Sequence, residues 1–432
     1  MQKKQIMSTG LIWFRNDLRT QDHEGLSKAT DNHDRVIAVY FFDPMHYKEL
    51  DIGFRKTGKF RAKFLIETIH QLRNNIQKMH IPLFVFQNKP EVKIAELVKK
   101  HQIDTIYFQK EWTDEEKEVE RNLKESIPDI EFKDHYQQFL FHPDDIPYDS
   151  LNDIPKVFTE FRKKCEKKTE VRELLTNSKL EAFEFENDTK IPSLKDLDFT
   201  EFETDERSAF PFRGGEDEAL KRVEQYFFEQ RNLETYKETR NGLTGTDYSS
   251  KLSAWLANGS ISPRQIYFKV KQYEKEVKSN QSTYWLVFEL IWRDFFKYIS
   301  LKHDNKIFQL EGIRGKSHEW NDDTETFRNW IDGNTKENFV NANMREIAHT
   351  GFMSNRGRQN VNSYLAKELK HDWRKGAAYF ESLLIDYDVH SNWGNWMYNS
   401  GVGNDPRDRK FNIKSQAERY DPDNDYQNLW LK

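Results

Sequence analysis

The chain has 432 residues, more than one hydrophobic core usually serves, so two domains are expected. Hydrophobic residues make up 36% and mean hydropathy is −0.93, yet 14% are aromatic, which gives enough buried area per side chain to exclude a disordered chain. A single cysteine, Cys165, excludes an intrachain disulfide and a Cys-rich zinc site, and a net charge of −5 argues against a generally basic surface.

The charge is uneven. Residues 206–432 carry 34 Lys and Arg against 33 Asp and Glu, whereas residues 1–205 carry 33 against 39, so the second half is the better nucleic-acid face. The start, MQKKQIMSTGLIWFRND, has no long apolar stretch and no small-residue cleavage site, and no run is long enough to span a membrane. With the lone cysteine, this points to a cytoplasmic protein.

Short apolar runs at 11–14, 36–42, 83–86 and 105–108 alternate with amphipathic stretches around 61–78, 91–100 and 114–124. Such alternation predicts βαβ units, and hence an α/β domain with a parallel, Rossmann-like sheet over residues 1–130. No GxGxxG follows the first run, so the dinucleotide fingerprint is absent. From 131 to 206 the periodicity fades, and Pro143, Pro147, Pro155 and Pro192 punctuate charged sequence. A structureless loop of that length is unusual, so a connector with a few short helices, wrapped over a domain surface, is expected.

Residues 207–432 read as an all-α domain, and nine of the eleven tryptophans lie beyond Gly214. Ser262-Pro263 is a helix start, with an N-cap hydroxyl and proline in the first turn. The run 285–299, WLVFELIWRDFFKYI, is apolar nearly all round, so its helix is buried and Glu289 and Arg293 within it need a reason.

Four groups of residues carry chemistry. Glu289, Trp292 and Arg293 share one helix face, with an ordinary i,i+4 ion pair as the plain alternative. Ser249, Ser250, Lys251 and Ser253 open a helical pattern, where hydroxyls, free N–H groups and a cation suit phosphate oxygens, although such serines also act simply as caps. Arg358 precedes Asp386 by 28 residues and is a candidate internal pair, with Asp388 beside it. Two carboxylates without a neighbouring His or third acid make a poor metal shell, so no metal is expected. Trp320, Trp373 and Trp396 are either core residues or a relay for single electrons.

The motifs WFRNDLR (13–19), YKETRN (236–241), DYSSKLS (247–253), FELIWRDFF (288–296), ANMREIAHTGFMSNRGRQNV (342–361) and IDYDVHSNWGNW (385–396) together resemble the photolyase/cryptochrome family, and within it the cryptochrome-DASH branch. The resemblance implies one non-covalently bound FAD per chain. Tyr236, Ser249, Ser250, Lys251 and Ser253 would hold its phosphate and ribityl region, and Arg358, Asp386, Asp388 and Asn392 would surround the ring. An amide at 392 can hydrogen-bond a reduced ring but cannot act as a proton donor as an Asp would.

The implied activity is blue-light repair of cyclobutane pyrimidine dimers, with Glu289, Trp292, Asn355 and Tyr398 contacting the lesion and Arg293, Arg356 and Gln359 contacting DNA. Trp396, Trp373 and Trp320, in that order outwards, match the family's photoreduction relay. Ser354-Asn355 stands where (6-4) photolyases carry adjacent histidines, and Gln359 replaces the methionine of duplex-acting enzymes. A dimer in single-stranded DNA is therefore the expected substrate, since flipping from a duplex costs a few kcal/mol. Glu111 matches the glutamate that binds a methenyltetrahydrofolate antenna. A monomer is expected, and the alternative function is a blue-light photoreceptor or regulatory DNA-binding flavoprotein with little repair.

Overall fold

The computed structural model describes residues 7–432 except residue 184. Five strands form one sheet: β1 (Thr9–Trp13), β2 (Arg35–Phe41), β3 (Leu83–Phe86), β4 (Thr105–Gln109) and β5 (Glu131–His135). All four pairings are parallel, in the order β3-β2-β1-β4-β5. Helices α1 (Glu24–Asn32), α2 (Lys59–Gln77), α3 (Pro90–His101) and α4 (Asp114–Ser126) link them.

The apolar runs are continuous because both sheet faces are covered. Alternate residues of β1 go to opposite layers: Ile12 packs with Leu26 of α1 and Ile69 and Leu72 of α2, while Leu11 and Trp13 pack with Ile94 and Leu97 of α3 and Leu123 of α4. This is the α/β domain expected, with one more strand. Glu131–His135 belongs to the sheet although 131 was expected to begin the connector. Its pattern, EFKDH, is mostly polar because it is an edge strand, so periodicity gave no signal.

Beyond β5 the chain forms α5 (Phe158–Lys168) and then long irregular stretches that wrap the sheet. Asn187 Nδ2 donates to the Leu83 carbonyl and the Thr189 hydroxyl accepts the Val85 N–H, so side chains close the free edge of β3.

The second domain is all-helical: α6 (Glu216–Glu224), α7 (Tyr236–Thr239), α8 (Ser253–Ala257), α9 (Pro263–Glu276), α10 (Gln281–His303), α11 (Thr324–Ile331), α12 (Asn338–Thr350), α13 (Asn355–Ser363), α14 (Trp373–Leu383), α15 (Val389–Ser400), α16 (Ile413–Tyr420) and α17 (Asp425–Leu431). Helix α9 starts as expected: Ser262 Oγ accepts from Gln265 N at 3.0 Å and the Gln265 side chain returns a bond to Ser262 N. Helix α10 is the expected buried helix, longer at both ends. Among the described residues no helix is long and apolar enough to cross a membrane.

The domains meet through buried polar contacts. Gly259 has φ +74°, and a Cβ there would lie 2.1 Å from the Asn16 carbonyl oxygen, so only glycine allows this approach. Asp22 receives Arg264 Nη2 at 2.6 Å and Ser262 Oγ at 2.6 Å, with both charged side chains almost fully buried. Asp22→Ala strands the Arg264 guanidinium and is expected to cost ~3–5 kcal/mol. Thermal unfolding checks this, and an unchanged transition would remove the pair from the interface.

Candidate active site

Helices α7, α8, α10, α13 and α15 enclose a cavity of about 540 Å³. Thirteen of the sixteen residues expected around a flavin and lesion line it; Ser249, Lys251 and Asn392 do not. Position on α10 explains one wall: Glu289, Trp292 and Arg293 occupy one face, as the spacing predicts. The i,i+4 pair does not form, however. Glu289 is bound by Arg240 Nη1 of the loop after α7, and Arg293 donates to the carbonyls of Gln138 and Leu256. A guanidinium reaches two carbonyls at once, which a single carboxylate one turn away does not offset. Burial pushes the Glu289 carboxyl above its usual range, and Arg240 opposes this in part.

The Trp292 ring stacks face to face on Phe158 of α5 at 3.6 Å and 12°, and meets Tyr398 of α15 edge-on at 6.0 Å and 90°. Asn355 is exposed at the first position of α13, behind Ser354, whose hydroxyl caps the helix by accepting Gly357 N–H at 3.0 Å. Arg356 donates to Gln359 Oε1 at 2.9 Å and to Asn241 Oδ1 at 3.1 Å, and lies 4.7 Å over the Tyr420 ring. These groups form the cationic rim.

On the other side, Arg358 Nη2 reaches both oxygens of Asp386 at 2.9 Å, the internal pair expected. Asp388 pairs with Lys297 Nζ of α10 at 2.6 Å. Burial opposes ionisation of Asp388, but Lys297 and then Arg293 outweigh it and hold the carboxyl far below the usual range. Each aspartate thus has its own cation, and the two do not converge on a shared ligand. Among the described residues one trio, Asp17, His23 and His135, comes within metal-ligand distance, outside this cavity. There His23 Nδ1 accepts the Leu26 N–H at 3.0 Å, so its proton sits on Nε2 and points at Asp17.

The helix expected to open at Ser249 begins only at Ser253 and runs five residues, so its end contributes little dipole. The serine loop is held instead by Arg222, which donates to the carbonyls of Thr246, Ser249 and Ser250. Lys251, at φ +62°, turns its ammonium inward, 3.1 Å over the Tyr248 ring and without a hydrogen-bond partner among the described residues. Burial pushes its pKa well down. A buried ammonium and the unpartnered Tyr248 hydroxyl beside a serine loop fit an anionic, phosphate-bearing cofactor. Tyr236, buried at the start of α7, lines the cavity near Glu289 and Arg240. Asn392 donates its amide to the Ala377 carbonyl at 3.0 Å, which leaves its oxygen as the free group.

Trp396, Trp373 and Trp320 belong to one hydrophobic cluster. Trp396 packs over Gly376 of α14, where a Cβ would lie 2.3 Å from the indole. Trp373, wholly buried, begins α14 and donates Nε1–H to the Leu310 carbonyl at 3.0 Å. Trp320 is half-buried, brought to that helix start by the bridge between Asn321 and His371. Trp396 and Trp373 are thus both buried, and Trp320 alone of the three reaches the surface.

Glu111 lies in a second cavity, of about 610 Å³, between the domains. It sits beyond the carboxyl ends of β1 and β4, where strand order reverses, the usual ligand crevice of open α/β sheets. Its Oε1 receives Gln109 Nε2 at 2.8 Å and Asn16 Nδ2 at 3.3 Å.

The family described as DNA photolyase matches residues 10–186, and the FAD binding domain of DNA photolyase matches residues 285–432. Cryptochrome DASH of Gloeobacter violaceus is 46% identical over 427 residues, covering 98% of this chain and 85% of that protein. The chain belongs to the photolyase/cryptochrome family, in its cryptochrome-DASH branch. The zebrafish (Danio rerio) cryptochrome DASH is also 46% identical, over 98% of this chain and 83% of its own length. A crystal structure of Synechocystis cryptochrome superposes with a TM-score of 0.94 at 46% identity, covering 99% of this chain and 89% of that one. A class III photolyase from Agrobacterium tumefaciens shares the fold, with a TM-score of 0.84 at 24% identity. The helical domain is thus an FAD-binding domain.

Sequence reasoning missed Arg240 and Lys297. Arg240 lay within the YKETRN motif, and Lys297 lies four residues after Arg293 on the same face of α10, so both were open to a search for partners of Glu289 and Asp388. It also missed Glu346 of α12, a buried carboxyl that accepts the Tyr426 hydroxyl of α17 at 2.7 Å and that burial pushes up to about 7. From its unfolded value of 4.5 to about 7, the folded protein holds a proton that the unfolded chain releases. Stability is therefore expected to be greatest at the acid end of that window and to fall as pH rises through 7, by about 3 kcal/mol in all. Glu346→Gln flattens this dependence in unfolding measurements from pH 5 to pH 8, and an unaltered slope would assign the effect elsewhere.

Proposed function

We propose that the chain repairs cyclobutane pyrimidine dimers under blue light, preferentially in single-stranded DNA. The observation that carries this reading is one cavity that combines a carboxyl, Glu289, an aromatic pair, Trp292 and Tyr398, and a cationic rim around Arg356 in an FAD-binding domain. When bound non-covalently, one per chain, reduced FAD supplies the electron that opens the cyclobutane ring and takes it back.

The protein's part is binding and electrostatics. Trp292, backed by Phe158, offers a rigid flat face to a pyrimidine, and Tyr398 walls the opposite side. Burial raises the Glu289 carboxyl above its usual range, which favours the protonated form that can donate to the lesion's carbonyl oxygens as negative charge develops there. Arg240 fixes where that carboxyl points. Asn355 and Gln359 offer amides to the base edges, and Arg356 offers a guanidinium to a flanking phosphate. Lys251 with the serines meets the cofactor phosphates, and the Arg358–Asp386 and Lys297–Asp388 pairs, with Asn392, form the polar wall for its ring. Trp396, Trp373 and Trp320 relay electrons inward for photoreduction. Glu111 would hold methenyltetrahydrofolate in the cleft, where it would serve as antenna. Cys165, alone and buried, suits a reducing cytoplasm, and the protein acts as a monomer.

Single-strand preference is supported by the branch and by a rim with few unpaired cations to repay duplex opening. The test is illumination of chemically reduced protein with a dimer-containing oligothymidylate and with the same lesion in duplex. Repair of the single strand first is expected, and no repair of either would leave a photoreceptor.

Glu289→Ala is expected to keep FAD but lower repair yield roughly tenfold or more, the ~1.5–3 kcal/mol of a charged hydrogen bond. Unchanged yield removes Glu289 from the reaction. Trp373→Phe should slow photoreduction of oxidised protein while chemically reduced enzyme still repairs, as absorbance spectra during illumination would record; normal photoreduction counts against the relay.

A further inference from the structure

His390 has no place in the lesion pocket. It borders the interdomain cleft instead, two residues after Asp388. Its imidazole lies face to face with the indole of Trp112, centroids 4.3 Å apart and planes 12° from parallel. Trp112 follows Glu111 directly, and Phe139 stacks against the same indole at 5.7 Å. The stack therefore joins the α/β domain to the flavin-side segment at the residue beside the cleft's carboxylate.

Ser300 of α10 fixes the imidazole's proton. Its hydroxyl is 3.0 Å from Trp112 Nε1 and 2.9 Å from His390 Nδ1. An indole N–H can only donate, so the hydroxyl oxygen accepts it; the hydroxyl has no other acceptor among the described residues, so its hydrogen goes to Nδ1. The ring's own proton must then sit on Nε2. That nitrogen has no partner among the described residues, and His390 is 2% exposed. Burial, and then Lys297, hold its basicity well below the usual histidine range, so the ring stays neutral and Nε2–H is its one outward donor. A buried donor without a partner is costly, and its residue lines the cleft.

Glu111 supplies the complement from the other domain. Two amides occupy its Oε1, which leaves Oε2 as an acceptor at the cleft. Acceptor and donor belong to different domains, yet the Trp112–His390 stack holds them in fixed relation. We propose that the cleft binds a planar heteroaromatic ligand through a lactam that bridges the domains, its N–H to Glu111 and its C=O to the Nε2–H of His390. This rests on the antenna reading and adds to it a donor that selects the ligand.

The experiment is titration of FAD-loaded protein with methenyltetrahydrofolate, read by the absorbance of the bound chromophore, for wild type, His390→Phe and His390→Gln. His390→Phe keeps a flat ring against Trp112 and loses the donor, so folate should bind roughly tenfold more weakly at unchanged FAD content. His390→Gln, which restores an N–H, should recover most of the loss and so separate hydrogen bonding from packing. Equal affinity of wild type and His390→Phe overturns the inference and leaves folate in the cleft. A parallel titration with excess FAD distinguishes sources: a second flavin taken up in place of folate, and weakened by the same substitution, keeps the lactam contact and removes the folate reading. Uptake of neither ligand by the wild type removes both.

Discussion

A helix buried on nearly every side cannot keep charged side chains unless each finds a partner, and α10 carries four between Trp285 and Ile299. Glu289 takes Arg240, Arg293 takes two carbonyls, Asp294 takes the N–H groups of Leu140 and Phe141, and Lys297 takes Asp388. The partners come from the loop after α7, the connector, α8 and the segment before α15. Removing one member of such a pair leaves a buried charge, a loss of ~3–5 kcal/mol, so the four requirements together force these segments to converge. The cavity is the space they leave between them.

That convergence also explains why two cavities share a wall. Arg293 and Asp388 border both the cavity of the helical domain and the interdomain cleft. The charges that satisfy α10 thus stand in the wall between the two cavities, which keeps any two ligands bound in them close. Close packing elsewhere has the same effect: Gly259 lets the domains touch backbone to backbone.

Much of this was legible in the sequence because it depends on local pattern. Alternating runs gave the parallel sheet, Ser262-Pro263 gave a helix start, and the spacing of Glu289, Trp292 and Arg293 gave a shared face. The motifs marked the family, and Arg358 with Asp386 followed from the need to pair a buried guanidinium. What failed was what only tertiary contact decides. Strand β5 is polar because it lies at an edge, Glu289 found Arg240 rather than the arginine one turn away, and the serine segment stayed a loop because Arg222 takes its carbonyls. The tautomer of His390 depends on a hydroxyl 90 residues distant in sequence.

The connector shows the same limit most clearly. Its weak periodicity gives only a connector wrapped over a domain surface, yet it closes the open edge of β3 with Asn187 and Thr189 and sends Phe158 against Trp292 at 3.6 Å. An indole alone on a helix can swing between rotamers, at an entropic cost paid again whenever a ligand binds. With one face fixed by Phe158 and an edge met by Tyr398, Trp292 presents its remaining surface in a single orientation. The segment with the least regular structure therefore does part of the work of preorganising the pocket, because packing against an aromatic face requires a ring at the right place and no particular secondary structure around it.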